Sequence, residues 1–165
     1  MDTKTIIVTL VTDRTQVDVE RVKTLAAKGF AAMTAAERAE WLAGMKGAYN
    51  AADLNRVGTA LNYLAARLSS ICGRSIAWTA KTDWAVTDIP AASQAETYRR
   101  QIQDIRDALA YPAGTPDAPQ LARLTYTGAN DIERILALCE DLIVNVAKSF
   151  RHTGAAECAA GGLLT

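Results

Sequence analysis

The sequence predicts an all-α domain, a bundle of three long and two short helices, with two short segments patterned as strands. Three observations predict it. A helix-start signature recurs five times: "TQVD" from Thr15, "TAAE" from Thr34, "NAAD" from Asn50, "SQAE" from Ser93 and "NDIE" from Asn130. In each, the first side chain can accept from an orphan amide two or three residues on, and the carboxylate can reach back while sitting at the positive end of the helix dipole. Stop residues follow the same runs: Gly29, Gly44, Gly73 and Gly154 end the first, second, third and fifth, and Pro112 closes the fourth. The longer runs, finally, repeat apolar residues at alternating three and four spacings, which is the seam of a bundle.

Taken in order, the chain opens with "TIIVTLV", Thr5 to Val11, which is β-branched and partly alternating and reads as a strand. Left unpaired it would be an apolar edge, so Ile7 and Leu10 are candidate contacts to another chain. Two short helices follow, Gln16 to Lys28 and Ala35 to Ala43. The first long helix, Ala51 to Cys72, carries its seam on Leu54, Val57, Leu61, Leu64, Leu68 and Ile71. Its length of about 33 Å sets the long dimension of the domain. "SIAWTA", Ser75 to Ala80, is the second strand-like segment and a partner for the first in a two-stranded ribbon. The next helix, Gln94 to Leu109, has its seam on Ala95, Tyr98, Ile102, Ile105 and Leu109. "YPAGTPDAP" holds three of the four prolines and reads as a loop. The last helix, Asp131 to His152, has Ile132, Ile135, Cys139, Leu142 and Val146 on one stripe and Leu136, Ile143 and Phe150 on the next. An arc that wide belongs at the centre of the bundle. Residues 1–152 therefore read as one domain and 153–165 as a flexible tail.

Composition narrows the function. Eighteen basic and 18 acidic residues, with no basic run, argue against a nucleic-acid surface or a polybasic membrane patch. No stretch is long and apolar enough for a membrane span or an export signal, so synthesis in the cytoplasm is expected. Cys72, Cys139 and Cys158 are odd in number and lack CxxC spacing, which indicates neither a disulfide framework nor a zinc site.

Residues suited to catalysis do not assemble. The single histidine, His152, ends the last helix, where the dipole favours positive charge. Cys139 lies thirteen residues upstream on the same helix, about 20 Å away, too far for a nucleophile pair. Glu140 and Asp141 are helix neighbours and cannot face one another; a solvated face or an arginine of another helix accounts for them. Asp53, Asp131 and Glu133 are accounted for by capping and the dipole. Phosphate-cradling glycine loops, G-x-S-x-G and HExxH are all missing, so the expectation is no catalytic residue, no cofactor and no metal. Trp78 and Trp84 fall in a connection, "AWTAKTDWAVTDIP", and are candidate partner contacts.

As a string, "VTDRTQVDVERVKTLAAKGFAAMTAAERAEWLAGMKGAYNAADLNRV" closely resembles a module of tail-associated virion structural proteins from phages and prophages of Firmicutes. "KTDW" from Lys81 and "LTYTGANDIERIL" from Leu124 occur there in the same order, so the resemblance runs from Val11 to about Phe150. It implies a place in or near a phage tail, fibre or baseplate, contacts with other tail proteins, and no catalytic residues. An uncovered arc of the last helix, with the symmetry of tail parts, offers a surface for homo-oligomerisation. A cytoplasmic adaptor or assembly chaperone is one alternative. A host glycan-binding module using Trp78 and Trp84 is another.

Overall fold

The computed structural model describes the backbone of residues 3–161 and the side chains of residues 6–150. Among the described residues six helices follow in order: α1 (Thr3–Val8), α2 (Gln16–Lys28), α3 (Ala35–Leu42), α4 (Ala51–Cys72), α5 (Ala92–Asp107) and α6 (Tyr126–Gly161). Short 3-10 turns lie at Phe30–Ala32 and Leu121–Arg123, and the described residues contain no strand. The all-α reading holds.

Three of the five start signatures work as expected. Thr15, Thr34 and Asn50 each cap a helix, and Asp18, Glu37 and Asp53 each accept the cap residue's own amide at 2.7, 2.7 and 2.9 Å. Gly73 closes α4 in the left-handed region at φ 63, where a Cβ would be strained. The other two signatures do not start helices. Gln94 captures the amide of Ala91 at 2.9 Å, so α5 begins two residues before "SQAE" would start it, and it ends at Asp107 rather than Leu109. Thr125 accepts from Gly128 N–H at 3.1 Å and opens α6 upstream, which leaves Asn130 inside the helix with its amide directed to another element. Nor does α6 stop at Gly154. Its backbone stays helical to Gly161, across most of the expected tail.

Side-chain pairs fix the directions of the long helices. Glu133 meets Asp53's neighbour Arg56, and Glu140 meets Tyr63 and Arg67, so α4 and α6 run parallel. Tyr98 on α5 meets Tyr49 just before α4, while Tyr111 beyond α5 lies beside Cys139, so α5 runs the same way. Parallel neighbours need connections that travel back the full helix length, about 33 Å, and the segments 73–91 and 108–125 do so. The core is built from the expected seams: Leu54, Val57, Leu61, Leu64 and Leu68 of α4, Tyr98, Ile102 and Ile105 of α5, and Ile132, Ile135, Leu136, Cys139 and Ile143 of α6. On α6 the buried face falls between the two expected stripes, and Phe150 is exposed.

The ribbon does not form, for reasons visible in the backbone. "TIIVTLV" begins as α1, which packs on α4 and α6, so Ile7 and Leu10 are half-buried against the core and are not an open edge. "SIAWTA" stays extended but finds its partners on α4. Asn62 donates to Ala80 C=O and accepts from Ala80 N–H at 3.0 and 2.7 Å, and Asn55, one heptad earlier, does the same for Trp84 at 2.9 and 2.7 Å. Gly58 lies between them, where an added Cβ would stand 2.3 Å from Lys81 O. The return segment is thus laid directly on α4 by two amides and a glycine.

A smaller unit stands beside the bundle. Residues of α2, α3 and their turns pack around Leu25, Met33 and Met45, with Val22 and Trp41, in a core separate from the main one. Gly47 brings the chain out of this lobe so close to α2 that a Cβ would meet Asp18 O at 2.2 Å.

Candidate interaction surface

Where the lobe, α4 and α6 meet, the polar residues of "VTDRT", "AADLNR" and "GANDIER" converge. Arg14 Nη2 donates to Asp53 Oδ1 at 2.8 Å and to Glu133 Oε1 at 2.6 Å. From α4, Arg56 donates to Glu133 at 2.9 and 2.7 Å and also to Asp53. Glu133, fully buried, also accepts Val11 N–H at 2.6 Å. Asn130 exchanges both backbone bonds with Arg14, each 2.9 Å. The Arg14 guanidinium lies 5.6 Å from the centre of the Tyr49 ring, whose hydroxyl meets that of Tyr98 at 2.6 Å. Burial pushes both phenols up, so they stay protonated hydrogen-bonding groups.

Two guanidiniums and two carboxylates balance in charge, and both carboxylates accept from both arginines, while the buried Arg14 Nε–H has no acceptor among the described residues. The cluster ties the segment before α2 to α4 and α6. The reading of Glu133 as an acid accounted for by capping and the helix dipole is therefore corrected. Because α6 starts at Tyr126, Glu133 sits two turns inside the helix on its core face. Asp53 does cap, and pairs with two arginines besides. Glu140 meets Arg67 at 3.0 Å, as an arginine of another helix was expected to do, and burial raises its pKa.

The candidate contact residues are dispersed. Ile7 and Leu10 are taken up by the core. Trp78 is half-buried and donates to Asp104 at 2.7 Å; it lines a depression with Arg74, Ile76 and Asp107. Trp84 is 8 % exposed and lines a different cavity, against α5. The two indoles form no common platform.

Apolar surface is instead gathered between the lobe and the bundle. A groove of about 510 Å³ runs between Val22, Trp41 and Leu42 on one side and Ala51, Leu54, Val86 and Pro90 on the other. Leu42, Val86 and Ile89 are 74, 96 and 90 % exposed. Val86 is presented by a tight turn: Asp88 N–H donates to Ala85 C=O at 3.0 Å, and the Asp88 carboxylate accepts Ala85 N–H at 2.9 Å. Sequence reasoning missed this surface because it depends on how the lobe is set against the bundle. Only the turn pattern "AVTDIP" was there to be read.

Among the described residues no three His, Cys, Asp or Glu side chains converge as metal ligands, and no helix is long and apolar enough to cross a membrane. Comparison with protein-family models, curated proteins and solved structures finds no match.

Proposed function

We propose that this chain is a non-enzymatic structural component of a phage or prophage tail apparatus, made in the host cytoplasm and carried in the virion, where it acts through contacts with other tail proteins. The observation that carries the interaction role is the groove between lobe and bundle, with Leu42 and the rigid Val86 turn exposed at its edges. Apolar side chains held out by a constrained turn lose little entropy when a partner covers them. The charge-balanced ion cluster, in which both carboxylates are engaged by both arginines, supports a role without catalysis. The tail assignment itself rests on the sequence resemblance of residues 11–150.

Mass spectrometry of particles purified from an induced lysogen tests it. Stoichiometric peptides of this chain in intact particles, lost when Val86→Asp is introduced into a protein that still folds, are the expected result. Expression in the cell with absence from particles would replace this reading with that of an adaptor or assembly chaperone.

A further inference from the structure

The lobe and the bundle are joined at one place. Arg14 belongs to the bundle, because Asn130 holds both its backbone N–H and its C=O at 2.9 Å. The next residue belongs to the lobe: Thr15 N–H donates to Asp18 at 2.7 Å. The chain returns beside this point. Gly47 lies against the Asp18 carbonyl, where an added Cβ would clash, and Ala48 N–H donates back to Met45 C=O at 3.0 Å. Tyr49 is already in the bundle, with its ring 5.6 Å from the Arg14 guanidinium and its hydroxyl on that of Tyr98. The two crossings, Arg14 to Thr15 and Ala48 to Tyr49, thus lie side by side.

Beyond them the lobe is held by its own contacts. Among the described residues, the side-chain hydrogen bonds and ion pairs of residues 15–42 all end inside that stretch. Arg21 meets Glu40 at 2.7 Å, Lys28 meets Glu37 at 2.6 Å, and Arg38 donates to the Phe30 and Ala31 carbonyls at 3.1 and 2.8 Å. The apolar core of the lobe shares no residue with that of the bundle. Where packing would join the two there is instead the groove, and Ala48 and Tyr49, the second crossing, line it together with both walls. One ion pair spans the crossings, Asp13 with Lys46 at 2.8 Å, and with side chains 78 and 38 % exposed it is a weak latch.

We propose that the lobe is one jaw of a clamp. It swings as a folded unit about the paired crossings at Thr15 and Ala48, and the groove is the gap between the jaws, so a partner seated there closes the lobe onto the bundle. The clamp rests on reading the groove as the partner surface. The hinge itself is measured on the purified chain, so it can fail while the tail assignment stands, and the reverse.

Pulsed electron–electron spin resonance measures it, with Cys72 and Cys158 replaced by serine and spin labels on introduced cysteines. Leu42→Cys with Val86→Cys spans the jaws, Val17→Cys with Leu42→Cys lies within the lobe, and Val86→Cys with Arg134→Cys lies within the bundle. The first three of these positions are 74, 96 and 76 % exposed for Leu42, Val86 and Val17, so labels there disturb no packing. The expected result is a single narrow distance for each internal pair and a second, longer distance for the pair across the jaws. Asp13→Asn cuts the latch and raises the ratio of open to closed chains by up to about fivefold. A pair across the jaws as narrow as the internal pairs, in both the parent and Asp13→Asn chains, would overturn the hinge. Equal broadening of the pair within the lobe would overturn it too, since the lobe would then be unfolding and not swinging.

Discussion

Glu133 shows how much one residue can hold together. It is fully buried, yet accepts from Arg14, Arg56 and the Val11 amide, so removing it leaves two guanidiniums sharing the single Asp53 carboxylate. Breaking a buried pair from one side costs about 3–5 kcal/mol, because the remaining charge stays desolvated. Glu133→Ala is therefore expected to lower the unfolding free energy by about that amount in urea denaturation, and a loss below about 1 kcal/mol would mean that water reaches the cluster. Glu133 was visible in the sequence, but only as the fourth place of "NDIE". Its partner Arg14 lies 119 positions away, and local pattern has no means of joining two such residues. The same holds for Arg56, which reads simply as a polar position off the seam. Trp84 differs in kind: the string marks it as a loop tryptophan, but its unmatched indole is a property of the packed molecule.

Among the elements, those specified by contiguous residues were the most legible. The caps at Thr15, Thr34 and Asn50 are satisfied within three residues, as are the seams of α4 and α5 within one helix. The two β-like segments were misread because their patterns record burial, and burial was met by other means. Ile7 and Leu10 reach the core near a short helix, and "SIAWTA" surrenders its backbone bonds to Asn55 and Asn62 instead of a neighbouring strand. Asn55, Gly58 and Asn62 were the signal for this, three small or amide residues on one face of an otherwise apolar helix. Gly58 limits how closely the segment lies, since its added Cβ would stand 2.3 Å from a backbone carbonyl that cannot rotate away. Gly58→Ala improves helix propensity by about 1 kcal/mol in isolation. In the folded chain it is expected to be destabilising by a net 1–3 kcal/mol or so, the range of overpacking, with Trp84 emission shifting red as the segment lifts. A stabilised variant with unchanged emission would show that the segment does not press on α4.

For the molecule as a whole, the distribution of protons between folded and unfolded chains favours the native state at neutral pH and turns against it in alkali. Cys139 is fully buried beside Tyr111, and burial pushes its thiol up from 9.0 to about 11. Tyr49, Tyr98 and Tyr111 are raised by burial in the same sense. All four sit at contacts between elements: Tyr49 and Tyr98 join the approach to α4 with α5, and Tyr111 and Cys139 join the α5 exit with α6. Between pH 9.0 and about 11 the folded chain keeps the Cys139 proton that the unfolded chain has already lost. The unfolded state then binds fewer protons, so stability must fall as pH rises through that window. Two pKa units correspond to about 2–3 kcal/mol from Cys139 alone, with the phenols adding to the loss above about pH 10. Urea midpoints at about pH 8 and about pH 10.5 should differ accordingly, and Cys139→Ala should flatten the lower part of the slope while leaving the tyrosine part in place. Equal midpoints would mean that these contacts open locally to let the protons go, and that the helices are less firmly joined than their packing implies.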